Sequence, residues 1–159
     1  MREEITNKKK LDNKGFSLIE LIIVIAIMAI LIGIVGTQVV PYIEKSKQAK
    51  DQQVISSILT NATTAFASNA ECYNAASAQK ITINNDDIKI DETGAEDVSD
   101  EFKTLSGLTK LADVTGKMSS KAGKKISGIV IERNTSGVIT VTVNGDADVT
   151  KVFKVLSST

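Results

Sequence analysis

The stretch KGFSLIELIIVIAIMAILIGIVG, Lys14 to Gly36, decides the fold because a single charge interrupts its long apolar run. Every residue from Leu21 to Val35 is apolar or glycine, and the run continues in diluted form to Val40. Residues 16–40 would form a helix about 37 Å long, enough to cross a hydrocarbon core about 30 Å thick. The position of Glu20 inside such a run therefore requires an explanation.

A short basic segment precedes the apolar run. Residues 1–15 carry Arg2 and four lysines against three acids, a net charge of +2. Positive residues before an apolar helix favour a cytoplasmic N-terminus, so we expect the rest of the chain outside the membrane. The run exceeds the roughly 7–15 apolar residues of a secretory signal peptide, and no small-residue cleavage site follows it.

The helical pattern continues beyond the apolar run without a linker. Between Val54 and Phe66, apolar residues recur at steps of three and four, which predicts an amphipathic helix. We therefore expect one long helix from about Ser17 to about Ser68, apolar all round at first and amphipathic later.

Three residues are expected to weaken this long helix. Gly33 and Gly36 lower the helix propensity, and Pro41 removes a backbone donor. We expect the helix to bend or partly melt at these positions.

Residues 69–159 predict a small head with an antiparallel sheet. The segment 80–90 can form two short strands, and 100–112 predicts a short helix capped near Ser99. Three β-rich runs, ISGIVIER, GVITVTV and VTKVFKVL, predict a sheet at about 126–156. The expected fold class is α+β, with the long helix packed on three to four antiparallel strands. The expected buried face contains Ile139, Val141 and Val143.

Charge in the head is divided into two blocks. Residues 86–101 hold eight acids and one lysine, whereas 103–125 hold six lysines and one aspartate. Two solvated surfaces are the favoured interpretation. The alternative is that the acidic surface of one copy meets the basic surface of the next.

The remaining composition offers little chemistry. Histidine is absent and Cys72 is the single cysteine, so neither an intrachain disulfide nor a cysteine-based zinc site can form. Asp146 and Asp148 supply too few oxygens for a calcium loop, and a turn is expected there. The lysine-rich segment 117–125 lacks the aromatic residues typical of nucleic-acid binding. We expect no enzymatic activity, no cofactor and no metal.

Glu20 has two interpretations. A carboxylate near the start of a membrane helix reaches the interface and is stabilised by the helix dipole. Alternatively, removal of residues 1–15 would create a positive amine at Phe16, four residues from Glu20 on the same helical face. Buried among the apolar helices of neighbouring copies, such a pair would set the register between subunits.

The segment from Lys14 to Ile34 resembles the N-terminal signature of type IV pilins. That signature consists of a short basic leader ending in glycine, an aromatic first mature residue, a glutamate at the fifth mature position and a long apolar helix. Gly15, Phe16 and Glu20 match these positions. The resemblance implies that prepilin peptidase cleaves after Gly15 and that Phe16 is N-methylated.

The resemblance also implies an organisation and a function. Residues 1–15 would be a leader, 16–68 the long helix with its membrane and filament-core segment at 16–40, and 69–159 the head. The chain would be inserted in the cytoplasmic membrane before assembly. A membrane platform and an ATPase would then assemble it into a helical homo-oligomeric pilus outside the cell. Such pili serve adhesion, twitching motility, biofilm formation or DNA uptake, but the residues here do not themselves support binding to DNA or a host surface.

Two departures and two alternatives accompany the resemblance. Many pilins have a proline about where Thr37 lies, whereas here Pro41 comes four residues later, and the disulfide common in Gram-negative members is impossible. A pseudopilin of a type II secretion or competence system shares the same N-terminal motif. A membrane-anchored extracellular binding protein with an uncleaved helix is the alternative from another class.

Overall fold

The computed structural model describes residues 15–91 and 95–158, so positions 1–14 of the predicted leader lie outside the described part. Helix α1 spans Leu18–Ile34, a π-helical segment spans Val35–Val39, and helix α2 spans Val40–Ser68. The chain divides into two compact units between Val40 and Pro41. The expected long helix is present, and its amphipathic part belongs to the second unit.

The second unit contains a five-stranded sheet with the order β2-β1-β3-β4-β5. Neighbouring strands are antiparallel. The α+β class is confirmed, but the sheet has five strands where three to four were expected, because the hairpin β1-β2 joins its edge. The strands are β1 Gln79–Ile83, β2 Ile88–Ile90, β3 Ile126–Arg133, β4 Ile139–Gly145 and β5 Leu156–Ser157.

One apolar core joins α2 to the sheet. The stripe predicted on α2 is buried at Ile55, Ile58 and Phe66, with Ala62 and Ala65 between them. On the sheet, alternating residues point into the same core. The predicted face of β4 is confirmed, since Ile139, Val141 and Val143 are all buried.

Two short helices follow β2. Helix α3 spans Glu96–Ser106 and ends at Gly107, whose φ of 63° is the left-handed conformation that glycine adopts most easily. Helix α4 spans Leu111–Thr115. The expected cap at Ser99 is wrong, because Ser99 lies inside α3 and its hydroxyl donates to the Glu96 carbonyl.

The third predicted strand of the C-terminal meander is largely wrong. Helix α5 occupies Ala147–Val152, and only Leu156–Ser157 forms a strand. The Asp146 carboxylate accepts hydrogen bonds from the backbone N–H groups of Asp148 and Val149, at 3.0 and 3.1 Å. Such an N-cap stabilises a helix start. The apolar spacing of this segment also has the helical period, with residues at Val149, Val152, Phe153 and Leu156.

Candidate functional site

The start of α1 places a carboxylate beside the backbone that precedes the helix. Ser17 is extended, and its N–H donates to Glu20 Oε2 at 2.8 Å. The carboxylate satisfies one of the N–H groups that a helix start leaves without a partner, and it lies at the positive end of the helix dipole. Gly15 and Phe16 precede this cap, and Phe16 is 89% exposed. The three predicted processing and assembly residues therefore lie together at one exposed helix end.

Helix α1 buries none of its side chains within this chain. The described helical segment Leu18–Ser68 includes a stretch long and apolar enough to cross a membrane. A continuous apolar surface of this size requires lipid or other protein around it. The first unit is therefore incomplete as an isolated chain.

The π-helical segment Val35–Val39 ends two residues before Pro41, the second residue of α2. In a regular α-helix, the ring of Pro41 would clash with the carbonyl of Thr37, and that carbonyl would have no N–H partner. A wider turn accommodates this defect. The Thr37 hydroxyl donates to the carbonyls of Gly33 and Ile34 at 3.1 and 3.3 Å, which links the segment to the last turn of α1.

Gly33 lies in the last turn of α1, Gly36 lies inside the π-helical segment, and Pro41 is the second residue of α2. A Cβ atom added at Gly33 or Gly36 would meet no heavy atom within 4 Å. Packing within this chain therefore does not require either glycine. Melting at these positions on assembly remains a prediction.

A buried carboxylate on α2 connects that helix to the lysine-rich segment 117–125. Asp51 is 0% exposed, and its oxygens accept the N–H groups of Ser119 and Ser120 at 2.7 and 2.8 Å. The Ser120 hydroxyl donates to the same carboxylate. These residues are nearly 70 positions apart in sequence, so the contact joins distant parts of the head.

Asp51 was not predicted as a functional or structural residue, although the sequence contains a signal for it. Asp51 stands four residues before Ile55 on the buried stripe of α2, where an apolar residue is expected. The same segment also approaches α2 closely at Gly123, where an added Cβ would collide with the Asp51 carboxylate and lie 2.8 Å from Met118 Cβ. The segment considered for DNA contacts is thus bound to the protein's own helix.

A second polar cluster holds the loop between α2 and β1 in place. The Tyr73 ring packs edge-on against Phe66 and lies under the Arg133 guanidinium, 4.9 Å from the ring centroid. Buried Gln79 accepts from Arg133 through its side-chain oxygen and donates to the carbonyls of Asn74 and Ser77. These contacts hold the loop on the sheet without a disulfide.

The two aspartates that were weighed as calcium ligands, Asp146 and Asp148, form ion pairs with one lysine. Lys125 Nζ lies 2.9 Å from Asp146 and 2.8 Å from Asp148. This contact, followed by backbone hydrogen bonds, lowers the pKa of Asp146, and the same two carboxylates raise the pKa of Lys125. Across residues 15–91 and 95–158, no group of three or more histidine, cysteine, aspartate or glutamate side chains could hold a metal ion.

Cys72 is half-buried beside an acidic side chain. Its sulfur lies 3.5 Å from the Asp97 carboxylate. Partial desolvation, the hydrogen bond to Asp97 and the charges of Asp97 and Glu71 raise the pKa of the thiol above its usual value. The thiol therefore stays protonated at neutral pH, and the reactive thiolate is scarce.

We expect alkylation of Cys72 by iodoacetamide to be slow at neutral pH. The rate should rise about tenfold per pH unit below the pKa of the thiol, and it should level off at a higher pH than the rate of an unperturbed cysteine, because only the thiolate reacts. Mass spectrometry of the alkylated chain measures this rate. The Asp97→Asn variant should react faster at the same pH, because it removes a negative charge from beside the sulfur. A rate that levels off near pH 7 would contradict this assignment.

The comparisons with known proteins agree with this geometry. The family model described as "Prokaryotic N-terminal methylation motif" matches residues 10–36. "Fimbrial protein Q" of Moraxella bovis is 30% identical over 141 residues, which cover 84% of this chain and 88% of that protein. No solved structure matches the chain significantly.

An N-terminal methylation motif, an exposed apolar helix and an α+β head define a prepilin-type structural protein. With the fimbrial relative covering most of both chains, the chain belongs to the type IV pilin family. It is a structural subunit of a type IV pilus.

Proposed function

We propose that the chain is cleaved after Gly15, methylated at Phe16, held in the cytoplasmic membrane with its head outside, and then assembled into a surface filament. The observation that carries this proposal is the uncovered apolar surface of α1, which begins directly after the cap formed by Ser17 and Glu20. A prepilin peptidase, a membrane platform and an assembly ATPase are the partners that this route requires.

Cleavage after Gly15 would change the electrostatics of the helix start. The new amine of Phe16 would be positive and would lie near the N–H groups of the helix, where a cation is unfavourable. Glu20 offers the nearest negative charge, and its carboxylate can accept hydrogen bonds beyond the one from Ser17. In an apolar filament core, the Glu20 carboxylate of one copy would pair with the Phe16 amine of a neighbour.

The change of environment from membrane to filament costs the apolar helix little. Lipid tails and the side chains of neighbouring helices are similarly apolar, so transfer between them is nearly neutral for α1. An unpaired charge in either environment is strongly disfavoured. We infer that the pair between Glu20 and Phe16 selects one docking register among many that apolar packing alone would permit.

The segment Val35–Val39 is the proposed site of melting during assembly. Its backbone is already wider than a regular α-helix and contains Gly36, which has the weakest helix preference after proline. Local melting there would let α1 pack among neighbouring helices while the core of the head stays intact. Gly33 lies before this segment and Pro41 lies after it, and both residues weaken the helix next to the proposed melting site.

Gly15→Trp should leave the leader attached. A Cβ at Gly15 would meet no heavy atom within 4 Å, so the substitution should not disturb the chain's own structure. A bulky side chain should instead prevent the close approach to the peptidase backbone that a glycine permits. An immunoblot of whole cells should show a band heavier by the leader, with no filaments.

Gly15→Ala is the matched control for this experiment. Alanine adds one carbon atom and should be cleaved, at least partly, because the peptidase needs a small residue at this position. Normal cleavage of the Gly15→Trp chain would contradict the proposed processing site.

A further inference from the structure

We propose that a groove between α2 and the C-terminal segment binds helix α3 of a second copy, so that oppositely charged edges of successive heads meet along the filament. This inference rests on the proposed assembly into a filament and adds a contact between heads to the contact between helices. Its elements all belong to the second compact unit, which begins at Pro41.

The groove has a volume of about 770 Å³, and its lining combines five apolar residues with three lysines. One wall is a stripe of α2 at four-residue spacing, from Glu44 to Ser56. The other wall is formed by α5 and the residues that follow it, together with Lys121. The apolar lining residues are Ile55, Ala122, Val152, Phe153 and Leu156.

The acidic side chains of the groove already have partners inside the chain. Glu44 accepts the backbone N–H of Lys121 at 2.7 Å. Asp148 lies 2.8 Å from the ammonium of Lys125. The charge of Asp148 is therefore partly neutralised, and Glu44 already has a hydrogen-bond donor, before any second molecule arrives.

The basic side chains of the groove have no such partners. Within residues 15–91 and 95–158, no carboxylate lies within ion-pair distance of Lys121, Lys151 or Lys154. Three lysines and several apolar residues in one lining favour an occupant that is acidic and carries an exposed apolar side chain.

Helix α3 has the required surface. It buries Val98 and Phe102 in its own head and exposes Glu96, Asp97 and Asp100, with Glu101 half-exposed. Among the described residues, neither Glu96 nor Glu101 takes part in an ion pair. Leu105, near the end of the helix, is 41% exposed although most large apolar residues of the head are buried.

The topology keeps the two surfaces apart within one chain. Helix α3 packs against β2, which is one edge of the sheet, whereas the groove includes Leu156 of β5, which is the other edge. A head therefore cannot fill its own groove with its own α3. Two different surfaces that pair between copies form a heterologous contact, and repetition of such a contact generates an open helical assembly.

Charge reversal tests this contact in cells that assemble the full chain. Lys151→Glu with Lys154→Glu should lower the amount of sheared filament about tenfold or more, while processed subunit accumulates in the membrane. Glu96→Lys with Glu101→Lys should have the same effect. Co-production of the two variant chains should restore filaments at least in part, because in alternating order a reversed groove meets a reversed helix and an unreversed groove meets an unreversed helix. A single chain with all four reversals should restore filaments.

The control is Lys80→Glu with Lys110→Glu, which changes the net charge equally but outside the groove. This variant should assemble normally. Failure of the four-fold reversal to restore filaments, with each pair alone abolishing them, would overturn the proposal and would instead indicate a different occupant of the groove.

Cross-linking tests the same contact without charge changes. In a Cys72→Ser background, Glu101→Cys and Lys151→Cys in one chain should give a ladder of disulfide-linked oligomers after oxidation of sheared filaments. Glu101→Cys with Lys80→Cys should give none. Filaments without a ladder would overturn this inference alone, whereas the absence of filaments from the unmodified chain would overturn the proposed function as well.

Discussion

The Glu20→Ala chain is expected to be cleaved and methylated normally but to form filaments more than about a hundredfold less efficiently. The estimate follows from the cost of breaking a buried ion pair, about 3–5 kcal/mol, and from about 1.4 kcal/mol per tenfold change in an equilibrium constant. The Phe16 amine would otherwise enter the apolar core of the filament without a partner. The measurement is the ratio of sheared filament to membrane-bound mature subunit.

Glu20→Gln separates the capping role of this side chain at the start of α1 from its role as a charge partner of the Phe16 amine. The amide oxygen can still accept the N–H of Ser17, which Glu20 accepts at 2.8 Å, but it carries no charge. We expect Glu20→Gln to keep the start of α1 and still to lose most filaments. Normal filaments in Glu20→Ala would contradict the ion-pair account, and full recovery in Glu20→Gln would assign the effect to capping alone.

The Asp51→Ala chain should lose about 3–5 kcal/mol of its free energy of unfolding, because two backbone N–H groups and one hydroxyl lose a charged acceptor. Asp51 is fully buried, so water cannot easily replace the lost hydrogen bonds. The segment around Ser120 should then detach from α2. Urea unfolding of the full chain in detergent measures the loss, and proteolysis should cut first between residues 117 and 125.

Asp113→Ala is the matched control for Asp51→Ala. The Asp113 carboxylate also accepts three hydrogen bonds, from the N–H and hydroxyl of Thr109 and from the N–H of Lys110, but it is partly exposed. Water can replace these hydrogen bonds, so Asp113→Ala should lower the free energy of unfolding clearly less than Asp51→Ala. Equal losses of unfolding free energy in the two variants would show that the burial of Asp51 does not determine how much it stabilises the head.

The parts of the fold that were predictable are those with a long local pattern. The apolar run and the three- and four-residue spacing on α2 predicted the helix that the structure places at Leu18–Ser68, because dozens of residues repeat the same signal. Alternation at Ile139, Val141 and Val143 predicted a strand face for the same reason. The candidate assembly residues lie in one short motif, so the sequence alone was enough to propose them, and their role stays a prediction.

The parts that failed depended on short or distant signals. The segment Ala147–Val152 has β-branched residues, but the Asp146 cap and a helical apolar spacing decided its structure over strand propensity. The partners of Asp51 lie 68 and 69 positions away, and no local pattern connects them. The pairing of Lys125 with Asp146 likewise depends on the way β3 and β4 bring distant residues together.

Mass spectrometry of the protein sheared from the cell surface tests whether the chain is cleaved after Gly15 before it assembles into a surface filament. We expect a mature chain that begins at Phe16 and carries one N-terminal methyl group. The same sample viewed by electron microscopy should contain extended filaments. The proposed processing and assembly would be contradicted if the only chain at the surface retained residues 1–15 or began elsewhere in the apolar run.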